Sequence, residues 1–361
     1  MSEVEAARNI TRYMLRPIQP ILDHPGLTDL HINGPGEGKA FVDIGYGMKQ
    51  TTLPYALRDL EDLAMYAAAI TRQDVTEATP LVSTAFPDGE RVQIILPPAA
   101  PDGFVYFSMR KPKEVTDTPE DLRRKGVFAK AQHSGRHVSA NEHEMRRLNA
   151  AGETEALIGL AVESGLNIVF SGEVGSGKTH IMRTYVNCIS TDCRIVTVED
   201  MRELIGLKQP NVVNTIYSKG GQSVARVGAE QLVENSMRLG MDWLLNQELR
   251  DSAAYAYLDV LDSGHKAMTT THAENARSTR SRIKGLIKKH PQGQHMKDEE
   301  IMASLYRGID LIVHMKKEMD PETKKWRRFI DEVLYDPDEK QKYADVPSPF
   351  SQRETEKKEY A

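Results

Sequence analysis

Cysteine is scarce in this chain of 361 residues, in which only Cys188 and Cys193 occur. Two thiols separated by four residues provide neither a disulfide framework nor a four-cysteine zinc site. Long apolar runs are also lacking, because none approaches the ~20 residues that a membrane-spanning helix needs. The first residues carry neither the basic nor the apolar region of a signal peptide. These absences lead us to expect a cytoplasmic protein.

A surplus of positive charge is absent as well, since the net charge at pH 7 is −5. This value argues against a protein whose main work is non-specific nucleic-acid binding. Apolar residues make up 40% of the chain, which allows sizeable cores, and 361 residues exceed what one core usually supports. The composition is that of a soluble, two-domain enzyme.

Residues 172–179 read Gly-Glu-Val-Gly-Ser-Gly-Lys-Thr and fit the phosphate-binding pattern G-x-x-x-x-G-K-[ST]. An apolar run at 166–170 predicts a buried strand before the loop, and residues 180–189 predict a helix after it. Glycines let backbone N–H groups surround phosphate oxygens, and the new helix adds the positive end of its dipole. The loop and the residue after it are the nucleotide-binding residues that we predict: Gly172, Glu173, Val174, Gly175, Ser176, Gly177, Lys178, Thr179 and His180.

Two side chains of this loop carry chemistry of their own. Lys178 would reach the β- and γ-phosphates, and Thr179 would ligate Mg²⁺ through its hydroxyl. A glycine-rich turn that binds nothing would also satisfy the pattern, but strand, loop and helix together favour phosphate binding. The sequence therefore predicts a protein that binds a nucleoside triphosphate with Mg²⁺.

The rest of the chain divides into four predicted regions. Residues 1–110 predict a small α+β domain, in which a hairpin turns at Asp88-Gly89. Residues 111–152 are polar and predict an inter-domain linker with short helices at 119–125 and from Ser139. Strands and helices alternate from 153 to 337, which predicts an α/β domain built on a parallel sheet. Residues 338–361 are predicted to form a loose polar tail.

Acidic and histidine residues end three of the predicted strands. Glu199 and Asp200 follow one strand, Glu248 follows a second, and His272 ends a third. Ligands bind at the carboxyl ends of parallel strands, where phosphate-loop enzymes keep an acid that holds Mg²⁺ through water. Each motif alone has an ordinary alternative, a solvated strand end for the acids and a hydrogen-bonded loop residue for the histidine. Their order behind a phosphate loop favours a catalytic site.

Four boxes together resemble the secretion traffic ATPases: the phosphate loop, Val-Glu-Asp at 198–200, Glu-Leu-Arg-Asp at 248–251 and Thr-His-Ala at 271–273. This family comprises the hexameric motors of type IV secretion and their relatives in type IV pilus and type II secretion systems. Residues 28–41 and 108–112 also look like its N-terminal domain. The resemblance implies the fold class α/β, with a RecA-like parallel-sheet P-loop ATPase domain and a smaller N-terminal α+β domain.

The resemblance also implies an activity and residue roles. The chain would hydrolyse ATP with Mg²⁺. Lys178 would contact the phosphates, and Glu199 would be the general base. Glu248 and Thr179 would support Mg²⁺, Glu248 through water, and His272 would sense the γ-phosphate. The family usually has glycine where Gln247 stands, and this larger side chain bears on the aim of the acid that follows it.

Assembly and location are implied in the same way. The resemblance predicts a homo-hexamer whose partners are inner-membrane secretion-channel and coupling components, with no specific nucleic acid. The protein would be cytoplasmic and peripheral at the inner membrane, and would power substrate export or pilus assembly.

Other functions stay open besides that of a type IV secretion motor. Type II motors typically carry a zinc module with two Cys-x-x-Cys pairs, for which this chain lacks the cysteines, whereas pilus-retraction motors are a closer competitor. A DNA-translocating ATPase would use the basic run at 277–289, where six of thirteen residues are Lys or Arg. We favour a solvated helix face or a subunit contact there, because no aromatic stacking platform accompanies it. A kinase-like phosphotransferase would share the loop, but no acceptor-binding feature is visible.

Two arginines near the end of the N-terminal region are candidates for a further catalytic role. Phosphoryl transfer usually needs a cation on the γ-phosphate beyond the loop lysine, and an arginine from a neighbour is a common solution. We predict that Arg110, and with weaker support Arg91, reaches a nucleotide held between the domains. The alternative is that both are surface arginines. The linker is long enough that the sequence leaves open which subunit covers which site.

Overall fold

The computed structural model describes residues 2–45, 47–112, 116–129, 131, 138–218 and 224–350. Within these residues the chain forms two β-sheets, one after the other along the sequence. We call α1 to β6 the N-terminal unit and α5 to α13 the C-terminal unit. None of the helices in the described ranges combines the length and apolar character that a bilayer crossing requires.

The N-terminal unit contains a sheet of six antiparallel strands in the order β3-β2-β1-β6-β5-β4. Helix α3 buries an apolar stripe at helical spacing, including Leu60, Leu63 and Ala67, in the same core as strand residues such as Ile94. The elements are α1 (Glu3–Leu15), a 3₁₀ turn (Arg16–Ile18), α2 (Gln19–Leu22), β1 (Asp29–Asn33), β2 (Ala40–Asp43), β3 (Met48–Thr51), α3 (Leu57–Ile70), β4 (Leu81–Ala85), β5 (Arg91–Ile95) and β6 (Tyr106–Arg110).

The C-terminal unit contains a seven-stranded sheet in the order β13-β12-β7-β11-β10-β8-β9, parallel except for β13. Helix α4 (Pro119–Arg124) lies between the units. The elements of the unit are α5 (Ala140–Ala151), α6 (Thr154–Glu163), β7 (Ile168–Gly172), α7 (Lys178–Val186), β8 (Ile195–Glu199), β9 (Val212–Ile216), α8 (Ala229–Ser236), β10 (Trp243–Leu249), α9 (Ala253–Asp262), β11 (Lys266–Thr271), α10 (Thr279–Ile287), α11 (Pro291–His295), α12 (Asp298–Gly308), β12 (Leu311–Met319), β13 (Trp326–Tyr335) and α13 (Pro337–Gln341).

Central strands of this sheet are buried along nearly their whole length, which explains their continuous apolar sequence. Their carboxyl ends meet at one edge, so that the predicted loop, acids and histidine come together there. The predicted RecA-like parallel sheet is confirmed. Helix α1 and strand β3 are additions that the sequence analysis did not contain.

Two segments that the sequence predicts to be polar connections, the linker and the tail, contribute packed residues to the C-terminal unit. Helix α5, in the predicted linker, buries Met145 and Leu148 in a core beneath the sheet. Within the predicted tail, the carbonyl of Val346 accepts a hydrogen bond from Arg307 at 2.7 Å, and the Phe350 ring lies 5.4 Å from that of Tyr255. The part of the tail that the structure describes is therefore docked, because few but well-placed groups tie it down.

A buried polar network joins the two units. The guanidinium of Arg194, directly before β8, donates to Oδ1 of Asn33 on β1 at 2.9 Å and to the carbonyl of Leu239 at 2.8 Å. Oδ1 of Asn211 also accepts from Arg194, and from Nδ2 of Asn33 at 2.8 Å. Burial lowers the pKa of Arg194 to about 9. The units of one chain are thus in direct, desolvated contact.

Candidate functional site

Strand β7 leads directly into the phosphate loop. All its residues are buried, and it ends at Gly172, whose φ is +147°. A Cβ added to Gly172 would lie 2.2 Å from the carbonyl oxygen of Met315 on β12. Helix α7 begins at Lys178, directly after Gly177 with φ of +93°. Close approach at the first glycine and positive φ at both explain why the loop needs glycine there.

Lys178 reaches back into the interior of the loop. Its Nζ donates to the carbonyl oxygens of Gly172 at 3.1 Å and Glu173 at 2.9 Å, and lies 3.2 Å from Nδ1 of His272. Burial lowers the pKa of Lys178, and the carboxylate of Glu248 opposes that shift. Lys178 is also the first residue of α7. An anion bound beside its amine would therefore be favoured by the positive end of the helix dipole as well.

Glu248 on β10 forms the acidic side of the site. Its Oε2 accepts a hydrogen bond from Arg250 at 2.5 Å, and Nε2 of His272 lies 3.2 Å from its Oε1. Arg250 also reaches Oδ2 of Asp200 at 3.2 Å, and its hydrogen bond to Glu248 is the main cause of its raised pKa. Lys178, His272, Glu248, Arg250 and Asp200 thus form one polar cluster at the carboxyl edge of the sheet.

A cavity of about 590 Å³ opens beside this cluster. Its lining residues come from the loop, the first turn of α7, the carboxyl ends of β10 and β11 with the residues that follow, and β13: Val174, Gly175, Gly177, Lys178, Thr179, His180, Glu248, Arg250, His272 and Arg328. Oε1 of Glu248 is buried, and among the described residues it has no aligned hydrogen-bond donor. Buried carboxylate oxygens are normally satisfied, so this atom fits a water molecule or a hydrated cation.

Glu199 does not line this cavity. Its carboxylate is fully buried and accepts from Oγ1 of Thr197 at 2.7 Å and from the N–H groups of Glu203 at 2.7 Å and Leu204 at 2.8 Å. It therefore anchors the loop that follows β8. The general-base role of Glu199 stays a prediction, because these three donors occupy its carboxylate and it does not line the cavity.

Gln247, the departure from the family pattern, supports the same loop. Its Oε1 accepts from the N–H of Asp200 at 3.0 Å, so the larger side chain ties β10 to the end of β8. Asp200, whose carboxylate contacts Arg250, is a site residue that the sequence analysis quoted without a role.

Arg91 and Arg110 stand opposite each other on β5 and β6. They line a different cavity, of about 720 Å³, together with Met241 and Asp242, which precede β10. Nε of Arg110 donates to Asp29 at 2.9 Å. Because this cavity lies at the amino ends of the parallel strands, roughly one strand length, on the order of 20 Å, separates it from the phosphate loop. Within one chain the structure does not bring these arginines to the loop.

Two cations on the β12–β13 hairpin contact the loop, and neither was predicted from the sequence. Nζ of Lys317 donates to the carbonyl of Val174 at 2.7 Å, and Nε of Arg328 donates to that of Gly175 at 2.9 Å. Alternation along an edge strand shows only that such residues share a face. The loop that this face meets depends on the pairing of β12 with β7.

Three of the six basic residues at 277–289 are engaged within the chain. Arg280 is buried beneath the Tyr306 ring and donates to the carbonyl of Ile309 at 3.0 Å. Lys284 and Lys288 both pair with Asp298. These contacts favour the interpretation as a helix face rather than a DNA-binding surface.

The parallel sheet, the phosphate loop and the charged side chains at its carboxyl edge define a RecA-like phosphate-loop ATPase. The family described as "Type II/IV secretion system protein" matches residues 24–351. The chain therefore belongs to this family.

Curated relatives and a solved structure match the chain over most of its length. Protein VirB11 of Agrobacterium fabrum (strain C58) is 35% identical over 317 residues, 86% of this chain and 90% of that protein. Type IV secretion system protein VirB11 of Brucella suis biovar 1 is 32% identical over 334 residues, 91% of both. The crystal structure of the VirB11 ATPase from the Brucella suis type IV secretion system, in complex with sulphate, is 30% identical with a TM-score of 0.87. It covers 94% of this chain and 98% of that one. These likenesses confirm the prediction of a secretion ATPase.

Proposed function

We propose that the chain is an ATP-hydrolysing motor that powers type IV secretion. The observation that carries the proposal is the cluster in which Lys178, His272 and Glu248 meet at the phosphate loop. The Brucella suis relative was solved with sulphate, an oxyanion comparable to phosphate in shape and charge, which supports anion binding by this chain as well.

The residues present fit Mg²⁺ as the metal of the reaction. Mg²⁺ keeps several waters and takes few protein ligands, together with substrate phosphates. The hydroxyl of Thr179 and Oε1 of Glu248, the latter through water, would hold it at the cavity. Bound there, the metal would neutralise charge that develops on the phosphoryl oxygens.

The residues of the cluster would share the chemistry as follows. Lys178 would exchange its loop carbonyl acceptors for phosphate oxygens and stabilise the transferring phosphoryl group. His272, between Lys178 and Glu248, would report on whether the γ-phosphate is present. Glu199 would act as the base that orients water only after the loop following β8 releases its carboxylate. Asp200 and Glu248 are the acids that already lie at the cluster.

Turnover of variants tests these roles. Lys178→Ala should abolish hydrolysis without unfolding the protein. Glu199→Gln should bind nucleotide normally but turn over about a hundredfold more slowly or worse. Unchanged turnover in the Glu199 variant would transfer the base role to Glu248, which Glu248→Gln would then test. Glu163→Gln, on the remote helix α6, serves as a matched control.

The same proposal includes a ring of six chains with the nucleotide between domains, and residues 111–152 as the linker. Because Arg110 lies far from the loop of its own chain, its role at a γ-phosphate requires the loop of a neighbour. Arg110→Ala should assemble but lose turnover, and Arg91→Ala should lose less. Mixing Arg110→Ala with Lys178→Ala chains should restore some activity, because mixed rings contain intact arginine–loop pairs. Full turnover in Arg110→Ala would refute the role of Arg110 at the γ-phosphate of a neighbouring chain.

We also propose that the motor works in the cytoplasm, peripheral at the inner membrane, with channel and coupling components of the secretion machinery as partners. The support is the likeness to VirB11 proteins named as type IV secretion components. Co-purification from membranes under mild extraction tests it. Recovery of the chain with no envelope protein would contradict it.

A further inference from the structure

One face of the β12–β13 hairpin is directed at the phosphate loop. The pairs Lys317–Arg328 and Met319–Trp326 lie in register, so these four side chains share a face. Met315, two residues before Lys317, belongs to the same face, and its backbone abuts Gly172. We call these five residues the hairpin face.

The hairpin face touches the loop at successive residues. Lys317 holds the carbonyl of Val174 and stands 5.2 Å from the centre of the Trp326 ring. Arg328 holds the carbonyl of Gly175, and its Cδ would lie 3.2 Å from a Cβ on Gly177. The two cations therefore contact neighbouring residues of the loop.

Arg328 differs from the other cations around the cavity. Arg250 is engaged by two carboxylates, and Lys178 and Lys317 donate to loop carbonyls. Nε of Arg328 is also engaged, but its two Nη groups have no acceptor within the part of the chain that the structure describes. These groups belong to a side chain that lines the phosphate-loop cavity.

We propose that Arg328 is a further nucleotide-binding residue, which donates from its Nη groups to the phosphates of a nucleotide in the loop. This proposal rests on the proposed function. Nucleoside polyphosphates carry several negative charges, and a planar guanidinium binds phosphate oxygens through paired, charge-assisted hydrogen bonds. Its Nε contact to Gly175 pre-orients the guanidinium, so little side-chain entropy is lost on binding.

Equilibrium binding of ADP with Mg²⁺ to the full-length chain, measured by calorimetry, tests the proposal without any hydrolysis. Arg328→Ala should weaken ADP binding by about tenfold or more, the size expected for a lost charged hydrogen bond. Arg328→Gln should weaken it similarly, because an amide can still reach the carbonyl of Gly175 but lacks the charge. Arg327→Ala is the matched control, since Arg327 stands on the other face of β13 and should bind within about twofold of wild type.

The variants distinguish two roles of Arg328, binding of the phosphates and support of the loop. If Arg328→Gln binds like wild type while Arg328→Ala is weak, Arg328 only supports the loop, and the proposal is overturned. Wild-type affinity in Arg328→Ala overturns it as well. The Lys178→Ala variant distinguishes failure of the proposed function from failure of the role of Arg328. Normal ADP binding by Lys178→Ala would refute the proposed function. Weak ADP binding by Lys178→Ala together with normal binding by the Arg328 variants would refute only the role of Arg328. Circular dichroism melts of each variant confirm that the fold is intact.

Discussion

Removing the guanidinium that joins the two units should destabilise the chain strongly. In Arg194→Ala the side chain oxygens of Asn33 and Asn211 and the carbonyl of Leu239 lose a buried, charged donor. Removing one partner of a buried polar pair costs more than the pair contributes, because the other partner stays desolvated.

The structure sets the size of this effect. Breaking a buried charged pair typically costs about 3–5 kcal/mol in the free energy of unfolding. Nη2 of Arg194 and Nδ2 of Asn211 are already buried with no partner among the described residues, so the native network carries a cost of its own. We therefore expect the lower end, about 3 kcal/mol, for Arg194→Ala, and about 1–2 kcal/mol for Asn33→Ala.

A double-mutant cycle in urea, at one fixed chain concentration, measures the coupling. Arg194 and Asn33 share one hydrogen bond across the units, so their effects should fall short of additivity by about 1 kcal/mol. Arg238→Ala is the control, because this exposed arginine also crosses the units, to Oγ of Ser83 at 3.1 Å. Its loss should cost less than about 1 kcal/mol. Strict additivity of the Arg194 and Asn33 changes would refute the direct contact.

Three further predictions each concern one residue. Gly172→Ala forces its Cβ against the carbonyl of Met315 and should cost at least about 2 kcal/mol in chemical unfolding; wild-type stability would contradict that close approach. Burial, with two nearby arginines, lowers the pKa of His31 well below 6.5, so the unfolded chain binds more protons below that pH. The free energy of unfolding should then fall as pH drops below 6.5, by up to about 1.4 kcal/mol per unit, and His31→Gln should flatten this slope. Gln247→Ala removes the acceptor of the Asp200 N–H, whose hydrogen exchange should accelerate; an unchanged rate would show that the bond is not protective.

The phosphate loop could be predicted from the sequence because its function is local. Eight consecutive residues supply the glycines, the amine and the hydroxyl, and the adjoining strand and helix are written beside them. Glu248 and His272 were also predictable, since strand ends in a parallel sheet meet at one edge. The contacts of His272 with Lys178 and with Glu248 then depend on the order of these strands in the sheet.

Side-chain direction and long-range contacts were not predictable in this way. The orientation of Glu199 depends on the conformation of the loop after β8, whose N–H groups capture the carboxylate. Arg328 reaches the phosphate loop across 153 positions of sequence, and Asn33 reaches Arg194 across 161. Composition and periodicity describe each strand by itself, whereas these contacts arise from how strands and units pack.

The most direct test of the account is ATP hydrolysis by the purified, full-length chain with Mg²⁺, beside the Lys178→Ala variant. We expect the wild-type chain to release phosphate, and the variant to lose at least about a hundredfold in turnover while its thermal unfolding is unchanged. Equal turnover in the two proteins, or no turnover in the assembled wild-type chain, would contradict the assignment of the phosphate-loop cluster as the site of hydrolysis.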